Sequence, residues 1–141
     1  MARARRRPRT AITPDGIVLD SGAISAGAGG AFHVLAELTL AERAGIPIHV
    51  SAVTLAEVLR GHPRDIRIRS LLRTVEQRPV TAEIGEAAGE LLGLTNRSDT
   101  IDAIVAVTAE RAGKRVWLLT GDADDLRALT SAMPGVVVVP V

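Results

Sequence analysis

A three-layer α/β/α sandwich around a parallel sheet of four or five strands is the fold class this sequence of 141 residues predicts. Three observations carry it. Short apolar runs alternate with segments of helical spacing from residue 16 onward. Those runs are apolar on both faces, as in strands covered on two sides by helices. The length is that of one domain, able to bury roughly 68–70% of the surface its unfolded chain exposes.

The elements follow in order. Gly16-Ile17-Val18-Leu19 is a buried strand, and Gly27-Ala28-Gly29-Gly30 reads as a loop. Ala31 to Ala44 has helical spacing, with Val34, Leu35, Leu38 and Ala41 on one face and Gly45 as its stop. Pro47 to Val50 is a second strand. Ser51 caps a helix running to about Arg60, ended by Gly61 and Pro63. Arg64 to Gln77 and Ala82 to Leu92 are two further helices, broken near Pro79. Asp99 or Thr100 caps a helix over 101–112 that ends at Gly113. Val116 to Leu119 is a third strand, Ala123 to Thr130 a short helix, and Val136 to Val139 a last strand. The expected organisation is a flexible arginine-rich lead over residues 1–14 and one domain over 15–141.

Composition narrows the function. With no cysteine, disulfides, thiolate metal sites and cysteine nucleophiles are excluded. Apolar residues at 47% and charged residues at 23% match a globular chain, not a disordered one. No apolar run approaches the ~20 residues of a membrane helix. The basic start lacks the apolar stretch of an export signal, so the cytoplasm is the expected compartment. The net charge of +1 conceals an asymmetry: Arg3, Arg5, Arg6, Arg7 and Arg9 leave 12 positive against 16 negative charges in the remainder. Phe32 and Trp117 are the only aromatic residues, few for a protein that reads single-stranded bases by stacking.

Open parallel sheets bind ligands beyond the carboxyl ends of their strands. Asp20 directly follows the first strand, and Asp122 follows the third after Thr120 and Gly121. Either alone is an ordinary strand-ending turn residue. Asp102 lies in a helix that is apolar nearly all round, where a carboxylate is costly unless paired or bound to a cation. Its simpler reading is a first-turn acid favoured by the helix dipole. Glu57 has apolar flanks in the helix after the second strand, and a salt bridge to Arg60 would account for it. The four acids are 37, 45 and 20 residues apart, so only the fold can gather them. Gathered, they would raise one another's pKa unless a cation were present. An all-oxygen site of this kind suits Mg²⁺ or Mn²⁺. Such sites recur where phosphodiesters are hydrolysed.

At these residues the chain resembles a PIN domain, and most of all the VapC-type ribonuclease toxins of toxin–antitoxin pairs. The resemblance runs from about Gly16 to Val141. It rests on Val18-Leu19-Asp20-Ser21, on Thr54-Leu55-Ala56-Glu57-Val58 with Arg60-Gly61, on Ile101-Asp102-Ala103-Ile104-Val105-Ala106, and on Leu118 to Leu126. It implies that Asp20, Glu57, Asp102 and Asp122 are the catalytic and metal-binding acids. Asp125 matches a further acidic position of some members. Ser21 and Thr120 match hydroxyl residues that bond within the site. It also implies Mg²⁺- or Mn²⁺-dependent cleavage of RNA, a homodimer, and a cognate antitoxin that blocks the acidic pocket. Gly22 departs from the pattern, standing where many members carry serine or threonine.

Arg60, Arg64, Arg67, Arg69 and Arg73 form the densest basic group in the body. They are candidate contacts to the RNA backbone, or simply a solvated helix face. Two other functions stay open: a non-catalytic binding module on the same scaffold, and a nuclease directed at DNA. A haloacid-dehalogenase-like phosphatase or receiver domain fits poorly. Both need a lysine at the carboxyl rim, and the sole lysine, Lys114, precedes its strand.

Overall fold

The computed structural model describes residues 13–141. The lead expected over 1–14, with its five arginines, falls almost wholly outside the described residues. The chain runs through β1 (Gly16–Leu19), α1 (Ser21–Ala28), α2 (Phe32–Ala44), β2 (Ile48–Ser51), α3 (Ala52–Val58) and α4 (Asp65–Leu72). It continues through β3 (Glu76–Arg78), α5 (Ala82–Thr95), α6 (Thr100–Arg111), β4 (Val116–Thr120), α7 (Ala123–Leu129) and β5 (Val136–Pro140). The strands form one sheet in the order β3-β2-β1-β4-β5, and every pair is parallel.

Alternation along the strands divides the core in two. Val18, Val116, Leu118 and Val136 join a cluster with buried residues of α5, α6 and α7. Ile17, Leu19, Ile48, Val50 and Leu119 face the other way, toward α1, α2 and α4. The three layers predicted from apolar runs are therefore present, with β1 and β4 central and covered on both faces. The strand order reverses between β1 and β4. Leu19 pairs with both Val50 and Leu119, so the three central strands end level with one another.

Two elements depart from the sequence-based expectation. Gly27 and Ala28 do not begin a loop; they end α1, a helix the glycines disguise. The Asp20 carboxylate caps it, accepting the Ala23 N–H at 2.9 Å. Gly27 is buried because α1 passes close to its neighbours. A Cβ there would meet Leu71 Cδ1 at 2.6 Å and Val34 at 3.2 Å. The helix expected over 64–77 stops at Leu72, and Glu76–Arg78 is the edge strand β3, pairing with β2. Its first two residues are exposed, so the apolar signature of a covered strand is missing. In α2, Val34, Leu38 and Ala41 are buried as expected, whereas Leu35 is 40% exposed. Gly45 stops α2 at φ 71°, the left-handed conformation glycine adopts without strain. No single helix among the described residues is long and apolar enough to cross a membrane.

Candidate active site

The β1–α1 and β4–α7 turns lie side by side at the carboxyl edge, where the strand order reverses. Asp20 is buried there with both carboxylate oxygens engaged. One accepts the Ala23 N–H, and the other accepts the Thr120 hydroxyl. Thr120, the last residue of β4, is fully buried, and its Oγ1 in turn accepts the Asp122 N–H at 2.8 Å. One hydroxyl thus ties the two acid-bearing turns together. Ser21, half-buried, makes no side-chain hydrogen bond among the described residues.

Asp102 enters from α6. Its backbone N–H is held at 3.0 Å by the side chain of Asp99, the helix N-cap. Asp102, Asp122 and Asp125 can each place one oxygen within 4.8 Å of the others, close enough to share a cation. Asp20 and Glu57 are not in that set, yet Asp20 is near enough to raise the pKa of Glu57, Asp102 and Asp122. Desolvation, then Asp99 and Asp122, lift Asp102 from 3.8 to about 7. Desolvation and the neighbouring Asp125 raise Asp122. Half-buried Glu57, in the last turn of α3, is raised by desolvation, Asp20 and Asp99 and only partly relieved by Arg60. The Glu57–Arg60 bridge that would have accounted for Glu57 more simply is absent among the described residues. Arg60 instead turns back on the end of α3, donating to the carbonyls of Ala56 at 2.8 Å and Leu59 at 2.9 Å.

The donor set suits a hard divalent cation: all ligating atoms are carboxylate oxygens, and they repel one another without one. Asp125, by sequence a secondary candidate, lies with Asp102 and Asp122 while Asp20 does not. Asp99, by sequence a helix cap, also raises the pKa of Asp102. The Asp99-x-x-Asp102 spacing puts two carboxylates in one helical turn, and that was the available signal. Asp124 is fully exposed and faces Arg127 at 3.6 Å.

The raised pKa of Asp102 has a measurable consequence. Between its ordinary value and about 7, the folded cation-free protein binds more protons than the unfolded chain, so acidification stabilises it. Buried His49 acts oppositely, but only below its ordinary 6.5, because desolvation lowers its pKa. In chelator, the melting temperature is therefore expected to rise as the pH falls from 8 to 6.5. Excess Mn²⁺ should reverse the slope, since the ion needs the deprotonated acids. A flat or falling profile in chelator would contradict this electrostatic picture.

The basic group is divided by the fold. Arg60, Arg64 and Arg67 line one groove of about 840 Å³ with His62, between the end of α3, α4 and α1. Arg69 and Arg73 open onto a different groove with Leu59 and Gln77, and Arg67 and Arg73 together line a third, between α1, α2 and α4.

The sequence profile of the PIN domain matches residues 17–130. The chain belongs to the PIN domain family. Members of this family are generally nucleases. A search of curated protein sequences finds no match. Among solved structures, this PIN domain is similar to a VapBC2 complex from Rickettsia felis bound to a promoter DNA fragment. That likeness has a TM-score of 0.70 at 16% identity, covering 89% of this chain and 98% of the other. A toxin–antitoxin complex from Klebsiella pneumoniae follows at TM-score 0.64 and 24% identity, covering 86% and 95%. DNA-bound VapBC from Salmonella typhimurium gives 0.63 and 14%, covering 89% and 97%. At these identities the likeness is one of fold.

Proposed function

We propose that this PIN domain is a Mg²⁺- or Mn²⁺-dependent endoribonuclease and the toxin of a toxin–antitoxin pair. The observation that carries the reading is the convergence of Asp102, Asp122 and Asp125 within 4.8 Å, beside buried Asp20 at the reversal point of the sheet. The toxin role draws on the fold likeness to three toxin–antitoxin complexes. A cytoplasmic homodimer neutralised by a cognate antitoxin belongs to the same proposal.

Asp102, Asp122 and Asp125 would hold the ion. When bound, a divalent cation supplies Lewis acidity, lowering the pKa of a coordinated water and offsetting charge on the phosphoryl oxygens. Asp20 keeps the two turns in register through Thr120 and adds negative charge behind the ligands. Glu57, with its raised pKa, orients the attacking water and accepts its proton at a carboxylate oxygen. Attack at phosphorus breaks the bond to the 3′ oxygen, which takes a proton from solvent, leaving a 3′ hydroxyl and a 5′ phosphate. The acidic pocket repels the RNA backbone, so cations outside it must hold the strand. Arg60, Arg64 and Arg67 share one groove and take that role, and Arg73 joins Arg67 in the neighbouring groove.

The test is cleavage of a single-stranded RNA and of DNA of the same sequence, with Mn²⁺ or with chelator. Cleavage of RNA only, abolished by chelator, is expected. Cleavage of DNA instead would select the DNA-directed nuclease, and metal binding without turnover would select a binding module. Replacing Arg64 and Arg67 together by glutamine should lower the salt dependence of RNA binding by about two charges' worth of slope. The same change at Arg69 alone, which lines neither groove of Arg67, should leave it intact.

A further inference from the structure

Arg97 was not singled out by any feature of the sequence, yet it carries the only ion pair to the clustered acids among the described residues. Its Nη2 donates to Oδ1 of Asp125, one of the three carboxylates that converge. Both side chains are partly open to solvent, 32% for Arg97 and 46% for Asp125. The position of Arg97 is set by the backbone. Asn96 ends α5 in the left-handed conformation at φ 53°, and the Arg97 N–H then bonds back to the Leu92 carbonyl at 3.1 Å. That reversal directs the chain across the acidic edge toward α7. The guanidinium is thus delivered to the site by a helix stop.

We propose that Arg97 is the resident counter-ion of the acidic site, and that a divalent cation must compete with it for Asp125. The inference rests on the metal-binding reading above. Without a cation, Asp102, Asp122 and Asp125 repel one another, and Arg97 offsets part of that repulsion. A carboxylate bonded to a guanidinium gives up electron density to it and is a poorer ligand. A positive charge beside the site also repels an arriving cation. Arg97 therefore sets metal affinity below what three free carboxylates would give, and adds to the stability of the metal-free protein. Lysine could supply the charge but not the planar fork that locks onto one carboxylate.

The experiment is Mn²⁺ titration calorimetry on the full chain, with melting curves in chelator and in excess Mn²⁺. Wild type is compared with Arg97→Gln, Arg97→Lys, Asp125→Asn and the Asp125→Asn/Arg97→Gln double variant. Arg97→Gln is expected to bind Mn²⁺ about three- to tenfold more tightly. It should melt lower than wild type in chelator and recover in Mn²⁺. Arg97→Lys should fall between. In the Asp125→Asn background the Arg97→Gln gain should vanish, because the contact through which it acts is gone. Wild-type or weaker affinity in Arg97→Gln, with wild type binding Mn²⁺ normally, overturns the proposal and leaves the metal site standing. A melting deficit of Arg97→Gln that persists in excess Mn²⁺ assigns Arg97 a purely structural role and also overturns it. If wild type binds no Mn²⁺, the metal-binding reading fails and the counter-ion proposal fails with it.

Discussion

Asp102→Asn is expected to abolish RNA cleavage, by at least about 100-fold, while raising the melting temperature of the metal-free protein. Loss of activity follows from removing one of three carboxylates that converge on a single point. The gain in stability follows from the same geometry. Asp102 is crowded by desolvation and by Asp99, Asp122 and Asp20, which together hold its pKa near 7. Asparagine keeps the shape and removes the charge. Each kcal/mol of relieved repulsion is worth about 3 °C for a chain of this length. The backbone contact to Asp99 comes from the Asp102 N–H and survives the change. An inactive but stabler variant is the signature of a site built against stability; an inactive and destabilised one would mean that Asp102 serves the fold.

The second large effect concerns Gly22. A Cβ at this position would lie 2.9 Å from the Gly121 nitrogen and 3.0 Å from its Cα. Both are backbone atoms that cannot swing aside, so Gly22→Ala is expected to cost about 1–3 kcal/mol. The damage should extend to function, because the strain falls between the two turns that Asp20 and Thr120 join. Gly22→Ser is the sharper form of the test. Serine would supply the hydroxyl that many PIN domains carry here, yet the close approach of Gly121 predicts destabilisation in place of improvement. A Gly22→Ser protein as stable and as active as wild type would show that the two turns can separate at little cost.

Much of this was legible in the residues. The central strands announced themselves because they are buried on both faces, and Ser51, Asp99 and Gly45 marked helix ends through cap chemistry. What escaped notice had physical reasons. The strand β3 lies at the sheet edge and carries Glu76 and Gln77 where a covered strand would carry valine. The helix α1 is written in glycine, alanine and serine apart from Ile24, and at Gly27 it passes too close to Val34 of α2 and Leu71 of α4 for a side chain. Asp20 and Asp122 were legible from their places just after strands, and Glu57 and Asp102 from their apolar neighbours, a signal of burial. Asp125 and Arg97 are 28 residues apart and both partly exposed, so nothing in their flanks betrayed that they meet. The basic group was legible as composition but not as geometry. The arginines on and around α4 line three grooves, with Arg67 and Arg73 sharing one of them, and composition could not reveal it.

The central claim is that Asp102, Asp122 and Asp125 together grip one divalent cation. An anomalous difference map from a crystal soaked in Mn²⁺ tests it directly. The expected result is a peak about 2.2 Å from oxygens of Asp102, Asp122 and Asp125, at bonding distance for a hard divalent ion. A saturated soak with no peak at these carboxylates, or with the ion held elsewhere, would contradict it.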